Sequence, residues 1–530
     1  SFFVFPVCEA LMKDYICSIK PKKSCDVNGI SMNLLNYVAS PISKPLCHIF
    51  NQSTAFGIFP SNLKISRTLP IFKSGDNSDP DNYRGVSVTD SFSKPFEKIM
   101  SEKLRNFLEQ NNFFYKNQFG FRPKFSTNHA ILAVLNYISK NLNDGNIVLI
   151  VLLDIRKCFD MLNHKILLKK LENYGVRGLP LKWFESYFEG RKQKVFANGV
   201  LSSTLCDILI GVLQGSILGV LLFLVFINDI FMANEDLISF LFADDDTAAM
   251  SDNDLVSLIE KANIELDKLL KWYNSNLLLI HPGKTKSLLF HPPRSEPNLV
   301  KDDNGEFIFP VFLNMNNVNE NDPTKISQLR LIPNSDDKSA RLLGILIDEK
   351  LELKHHLKFV HSKISRAIFS LNQMKNILDK EHLKILYFSY VKSQIDYCSN
   401  SFMLGNQTAL KPIFLLQKRA VRIICGVGYH EPTLNLFKEE RILPINETIK
   451  YNALRFMFDY SHNLLPNSFS NTWKKNSDVY ARELRNANDF FRERTIAKYL
   501  QNHPLYYFPS LWNSLLDELD TSLNLDIDDS

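Results

Sequence analysis

FLFADDD, Phe240 to Asp246, sets three consecutive carboxylates at the end of an apolar run, and small or apolar character resumes at Thr247, Ala248, Ala249 and Met250. The pattern predicts a tight hairpin: a buried strand, a turn carrying acids, and a second strand. Aspartates at a strand end against an apolar layer are costly to desolvate unless a cation balances them. A hard divalent metal held by oxygen ligands meets that demand. Taken alone, the stretch fits a solvated acidic turn equally well. A second acid decides between the two. IVLIVLL, residues 147 to 153, is an unbroken apolar run ending on Asp154. A run of this kind reads as a strand buried on both faces. Two buried strands that each release an aspartate at one end can build a two-metal carboxylate site, the arrangement that aligns attacking and leaving oxygens in phosphoryl transfer.

Length and composition bound the rest. At 530 residues, with 45% hydrophobic and 22% charged residues, the chain is long enough for a sizeable core and two or three domains. The net charge of +5 is unevenly spread. From His355 to Cys425 eight Lys and three Arg face two Asp and one Glu, which marks either a polyanion track or a solvated helical face. The eight cysteines form no CxxC pair and no Cys/His cluster at zinc spacing, so reduced thiols in an intracellular protein are expected. The opening SFFVFPVC meets Glu9 too early for a signal peptide. Ile208 to Ile227 carries no charge. Its Gln214, Ser216 and three glycines favour a glycine-rich turn and a buried helix over a transmembrane span.

Around the acids the sequence places cations and glycines. LKISRTLPIFKSGD reads as a strand entering a polar turn with Lys73 at its edge, and NSDPDNYRGVSVTD as a second turn-rich piece with Arg84. The two cations suit a triphosphate clamp or are surface charges. In QFGFRPKFST, Phe119, Phe121, Arg122, Lys124 and Phe125 interleave aromatics with cations, a pattern suited to stacking on bases and neutralising phosphates. Ser126 and Thr127 are placed to cap the following helix. Asp160 and Asn163 cap or brace the turn after Asp154, and His164 is read as structural. GRKQKVFANG predicts a basic hairpin holding Arg191, Lys192 and Lys194. Gly215, after Gln214, allows close backbone approach to a ligand. Lys284 falls on a Pro-Gly turn between apolar strands. Residues 292–340, with Pro292, Pro293, Pro297, Pro310 and Pro323, read as a loop-rich insertion. The end of the chain, with six Asp or Glu after Leu516, reads as a frayed acidic tail.

In order, GIFPSNLKISRTLPIFKSGD, NYRGVS, QFGFRPKFST, LLDIRKCFDMLNH, GVLQGSILG, FADD, KTKSLLF and LLGILID resemble the reverse transcriptases of non-LTR retrotransposons of the jockey-like, LINE type, from about Ser24 to Gly426. The resemblance implies an α/β (α+β) polymerase right hand. An N-terminal extension of the fingers would occupy 1–53, fingers and palm 54–350, a basic helical thumb 351–426, and a C-terminal helical region with its acidic tail 427–530. It implies RNA-directed DNA synthesis from an RNA template, a DNA primer and dNTPs, with two Mg²⁺ ions or Mn²⁺ in their place. Asp154, Asp244 and Asp245 match the family's catalytic carboxylates, with the Ile155 carbonyl as a further metal ligand. Phe159 matches the aromatic gate that excludes a ribose 2′-hydroxyl. Lys73 and Arg84 match triphosphate contacts, Gln214 and Gly215 line the template and nucleotide site, and Lys284 falls beside the pyrophosphate. Arg122, Lys363, Arg366, Lys418, Arg419 and Arg422 are the cations expected on nucleic acid. The implied setting is an intracellular ribonucleoprotein, nuclear or cytoplasmic.

The sequence departs from the family at Gly85, Leu213 and Val220, where proline is usual, at His281 in place of Asn, and at Asp246, which precedes Thr247 as a third acid able to disturb a metal or a neighbour's pKa. No endonuclease, RNase H domain or zinc knuckle is recognisable, and the start at Ser1 suggests a fragment. The competing readings are another palm polymerase (an RNA-dependent RNA polymerase or an intron maturase) and a decayed copy that only binds nucleic acid.

Overall fold

In the computed structural model the apolar run does form a strand, Ile147–Asp154, buried along almost its whole length. It is an inner strand of a four-stranded sheet ordered Ile238–Phe242, Asp245–Asp252, Ile147–Asp154, Lys286–Phe290. Ile238–Phe242 and Asp245–Asp252 make the expected antiparallel hairpin, with Phe242 opposite Asp245. On the other side Lys286–Phe290 runs antiparallel to Ile147–Asp154. The structure describes residues 1–281, 284–292, 311–316, 326–331, 339–404, 407–480 and 486–528.

The chain divides into two bodies interleaved in sequence. The first comprises Ser1–Phe121, Asp154–Asn234 and Lys268–His281; the second comprises Arg122–Leu153, Glu235–Asp267 and Pro282–Ser530. In the first, the helices Glu9–Ser18, Ala39–Phe56 and Ser93–Gln110 accompany a mixed sheet. There Ile65–Phe72 pairs antiparallel with Tyr83–Val88 and parallel with Lys192–Ala197. Gly57, in a left-handed conformation, ends Ala39–Phe56 as a helix C-cap. The uncharged segment 208–227 resolves into a loop and the eleven-residue buried helix Ile217–Ile227, whose N-cap is Ser216. No described helix is long and apolar enough to cross a membrane.

The second body holds the four-stranded sheet and the helix Thr127–Asn143, which packs on Ile238–Phe242. Ser126 caps that helix by accepting the His129 N–H, while Thr127 is its first residue. The strands Ala340–Leu342 and Ile345–Ile347 form the expected small ladder. Beyond them lies a helical region with its own core, in which Leu357, Val360, Ile364 and Ile368 of the helix Lys354–Met374 meet Ile413, Ala420 and Ile424 of Gln407–Cys425.

Several expectations change. Within 292–340 the described residues form an antiparallel strand pair, Val311–Asn316 with Ile326–Leu331; 293–310, 317–325 and 332–338 lie outside the described residues. The acidic end, expected to fray, belongs to the helix Pro504–Asp528. Of the three missing prolines only Leu213 stands in a turn. Gly85 pairs with Pro70 inside a ladder and Val220 lies in the buried helix, so neither position loosens a turn.

Candidate active site

The acid hairpin in the second body is closed by two residues, Ala243 and Asp244, because Phe242 pairs with Asp245. Ala243 takes φ +57°, a left-handed conformation that costs an L-residue about 1–2 kcal/mol. Strain of this kind persists where the surroundings over-determine it, commonly at functional sites. Asp244 is half-buried, Asp245 exposed and Asp246 buried. Successive strand residues face opposite ways, so Asp245 and Asp246 point to opposite faces of the sheet. The third acid therefore does not share a face with Asp245.

Asp154 ends the strand hydrogen-bonded to this hairpin in the sheet, and the residues after it belong to the first body. There Ile155 bridges to Ile280: the Asp154 carbonyl accepts the His281 N–H at 2.8 Å, and the Arg156 N–H donates to the Leu279 carbonyl at 2.7 Å. In this wide antiparallel pairing the central residue's own carbonyl points away from its partner strand. The Ile155 carbonyl is thus not consumed by the bridge. Lys157 follows with φ +45°, opening the turn Cys158–Asp160.

That turn and the loop 211–215 are fastened together. Val212 N–H donates to the Phe159 carbonyl (2.8 Å) and Gly211 N–H to the Leu162 carbonyl (2.7 Å). Gln214 Nε2 donates to Asp160 Oδ1 at 3.0 Å. Burial raises the Asp160 carboxyl above its ordinary range, against the downward pull of Gln214, Lys157 and Arg84. Ser87 N–H donates to the Gln214 carbonyl at 2.8 Å, tying the loop to the Tyr83–Val88 strand. Gly211 and Gly215 permit these approaches: a Cβ on Gly211 would lie 2.7 Å from the Asp160 carbonyl oxygen, and one on Gly215 2.3 Å from that of Ser87. The half-buried Phe159 ring stacks on Phe223 with centroids 4.7 Å apart, so its position is fixed by the buried helix.

The first body thus gathers Asp154, Ile155, Phe159, Gln214, Gly215 and Arg84. Arg84 is exposed and sits on a strand opposite Ile71, where a loop was expected. Lys73 is exposed and follows directly, its N–H donating to the Asn82 carbonyl at 2.9 Å. Asn163 caps the helix His164–Asn173. His164 is structural, its Nε2 2.7 Å from the Gly211 carbonyl and its ring stacked on Phe188.

Sequence reasoning missed two residues of this assembly, Ser87 and Glu97. Glu97 is fully buried, and its Oε2 accepts the N–H groups of Ile217 (2.9 Å) and Leu218 (3.4 Å), at the start of the helix that follows Gln214–Gly215. Burial pushes its carboxyl up, while Arg191 and those N–H groups pull it down. Arg191, expected on a basic hairpin, is itself 3% exposed and lies against the Tyr187 ring at 3.9 Å. The available signal was an acid on the apolar face of the helix Ser93–Gln110, one turn from Met100 and Ser101, which are buried too. Glu97→Ala leaves the Ile217 and Leu218 N–H groups without their buried acceptor, and is expected to lower stability by about 1–3 kcal/mol, read by chemical denaturation. Loss of less than about 1 kcal/mol would contradict the role given to Glu97.

In the second body Lys284 is exposed, while the Pro282-Gly283 turn before it lies outside the described residues. Arg122 is half-buried over the Phe125 ring at 4.1 Å. Phe119, expected to stack on bases, is fully buried in the first body and serves its core. On Lys354–Met374, Lys363 and Arg366 are exposed and one turn apart, and Lys363 Nζ lies 4.6 Å from the Phe359 ring. On Gln407–Cys425, Arg419 is exposed, Lys418 covers Phe414 at 4.5 Å, and Arg422 donates to the Glu431 carbonyl at 2.8 Å. Part of the basic excess is internal, since Lys380 and Lys384 both pair with the buried Glu440.

Among the described residues no group of three His, Cys, Asp or Glu side chains gathers to hold a metal by itself. The oxygens on offer are carboxylates and a main-chain carbonyl. That set fits a hard cation of the magnesium type, which takes one or two protein carboxylates and completes its shell with water and substrate phosphates.

Residues 71–347, just over half of the chain, match the family model described as reverse transcriptase (RNA-dependent DNA polymerase). The chain is 24% identical over 464 residues to the RNA-directed DNA polymerase from mobile element jockey of Drosophila funebris, covering 85% of this chain and 47% of the relative. It is 23% identical over 459 residues to the probable RNA-directed DNA polymerase from transposon BS of Drosophila melanogaster, covering 83% and 47%. It is 22% identical over 425 residues to that from transposon X-element of the same fly, covering 77% and 43%. The chain spans about half the length of the curated relatives it matches. The sheet bearing the acid hairpin and most of the assembly around Phe159 and Gln214 fall within the matched residues, and the chain belongs to the reverse transcriptase family.

Proposed function

We propose that this chain is the RNA-directed DNA polymerase of a non-LTR, jockey-like mobile element, extending a DNA primer along an RNA template with dNTPs. The observation that supports it best is the adjacency, in one sheet, of the strand ending on Asp154 and the strand beginning at Asp245. In this reading 54–350 serve as fingers and palm with 1–53 as an extension of the fingers, 351–426 as the thumb, and 427–530 as a further helical region. The working form is an intracellular ribonucleoprotein.

Asp154, Asp244 and Asp245, with the Ile155 carbonyl, are the residues assigned to two Mg²⁺ ions, with Mn²⁺ as a substitute. When bound, such ions lower the pKa of the primer 3′-hydroxyl and neutralise charge on the departing pyrophosphate. The remaining work belongs to side chains. Lys73 and Arg84 hold the triphosphate, Arg84 as a planar fork and Lys73 as a point charge. Lys284 balances the pyrophosphate. Gln214, held by Asp160 and Ser87, and Gly215 present backbone to the incoming base pair. Phe159, backed by Phe223, occupies the space that a ribose 2′-hydroxyl would need. Arg122, Lys363, Arg366, Lys418, Arg419 and Arg422 contact the phosphate backbone, so binding weakens with salt while template sequence is read by base pairing.

Primer extension on an RNA template with separate dNTP and NTP pools tests this reading. Wild type is expected to use dNTPs alone. Phe159→Ala is expected to narrow the preference for dNTPs on the order of 10²-fold, by admitting NTPs rather than by losing dNTP use. Equal use of both pools by wild type would point to a polymerase of RNA and overturn the assignment.

A further inference from the structure

An ion pair between Lys157 and Asp81 joins two segments that the polymerase reading places on the nucleotide, and that reading gives the pair no task. Lys157 Nζ lies 2.8 Å from Asp81 Oδ1. Lys157 is the third residue past Asp154 and opens the turn that carries Phe159. Asp81 belongs to the turn Pro80–Asn82, which leads into the strand Tyr83–Val88 and its Arg84. Both residues lie in the first body.

The backbone is fixed on either side of the pair. The Asp160 N–H donates to the Lys157 carbonyl at 2.9 Å, and Lys157 holds a left-handed conformation of the kind retained at functional sites. On the facing turn the Asp81 N–H donates to Asp79 Oδ1 at 2.9 Å. The two side chains are open to solvent, at 50% exposure for Lys157 and 73% for Asp81. An exposed pair of this kind contributes about 0–1 kcal/mol, too little for a brace and little enough to be exchanged. Lys157 and Arg84 both act on the Asp160 carboxyl, which sets the two cations around one point. Among the described residues neither Lys73 nor Arg84 is ion-paired with an acid. Of these three cations only Lys157 is covered, and the acid covering it comes from the hairpin that bears the other two.

We propose that Lys157 is a third cation for the triphosphate of the incoming nucleotide, and that Asp81 occupies its ammonium until the nucleotide arrives. The inference rests on the polymerase reading and adds to it one binding residue and one built-in competitor. An ammonium on a flexible stem, with three rotatable donors, passes readily from a carboxylate to a phosphate. The triphosphate brings several negative charges against the single charge of Asp81, so the exchange runs toward the nucleotide. No covalent bond forms or breaks; one ion pair replaces another.

The test is single-turnover extension of oligo(dT) on poly(rA) over a range of dTTP concentrations, with wild type, Lys157→Gln, Asp81→Asn and the double variant. Lys157→Gln is expected to weaken dTTP binding about ten-fold, and Lys157→Arg to retain most of the wild-type affinity. Asp81→Asn is expected to act in the opposite direction, tightening dTTP by about two- to three-fold. In the double variant that gain vanishes and the affinity is that of Lys157→Gln, because Asp81 acts only through the lysine. A mere brace between hairpin and turn predicts instead that both single variants weaken dTTP. That result, an Asp81→Asn affinity equal to wild type, or a Lys157→Gln affinity within about two-fold of wild type would each overturn the inference while extension by wild type upholds the polymerase reading. A loss in Lys157→Gln that follows a lowered melting temperature and persists in Lys157→Arg would overturn it too. Wild type that extends nothing overturns the polymerase reading, and the inference falls with it.

Discussion

Asp244→Ala is expected to abolish primer extension, with a loss on the order of 10⁴-fold in single-turnover rate, while affinity for an RNA–DNA hybrid stays within about two-fold. The separation follows from where the residue sits. Asp244 is the second residue of a two-residue turn and makes no ladder pair, the register passing from Phe242 directly to Asp245. The hairpin is held by Ile238–Phe242 against Asp245–Asp252 and by the buried Leu241, Ala248 and Ala249, none of which the substitution touches. In the proposed reading, hybrid affinity rests on the exposed cations of the helices Lys354–Met374 and Gln407–Cys425. A rate within ten-fold of wild type would remove Asp244 from the chemistry. A parallel collapse of melting temperature would show a structural role in its place.

Gly215→Ala carries the second largest effect, through geometry rather than charge. The residue takes φ +128°, a conformation L-residues rarely adopt. A Cβ there would meet the Ser87 carbonyl oxygen at 2.3 Å. The obstacle is backbone inside the Tyr83–Val88 ladder, so it cannot swing aside as a flexible side chain would. Either the Ser87–Gln214 hydrogen bond breaks or the strand shifts. The expected outcome is a loss of about 2–4 kcal/mol in stability and a fall in dNTP incorporation on the order of 10²-fold, carried mainly by a higher KM for dNTP. Denaturant melts and steady-state kinetics read the two parts. Near-wild-type stability and KM would mean that the loop accepts a side chain and that the close approach has no consequence.

The elements that organise the molecule were legible because each is local. An apolar run closed by an acid predicts the strand Ile147–Asp154, and two strand-like runs flanking Ala243-Asp244 predict the hairpin. The basic amphipathic patterns predict Lys354–Met374 and Gln407–Cys425. What stayed hidden depends on partners distant in sequence or on strand parity. Arg191 stands in a run of cations that reads as a solvated face, yet its guanidinium lies buried against the rings of Tyr187 and of Phe59, the latter distant in sequence. Phe119 lies among cations in the pattern of a base-stacking loop but fills the core. Arg84 follows Pro80, Asp81 and Asn82, whose turn character masked the strand beginning at Tyr83. Asp246 looked like a third acid beside two others until the strand's period of two turned it to the opposite face from Asp245. Position along the chain is readable from type and spacing; the side to which a charged residue turns depends on packing that one sequence does not display.

The most direct measurement is extension of a DNA primer on a defined RNA template with Mg²⁺ and dNTPs, by wild type and by Asp244→Ala, with the product sequenced. DNA complementary to the template from wild type, and none from the variant, is the result expected of a reverse transcriptase working through this hairpin. Equal product from both, or no product from wild type while salt-sensitive hybrid binding is intact, would contradict it.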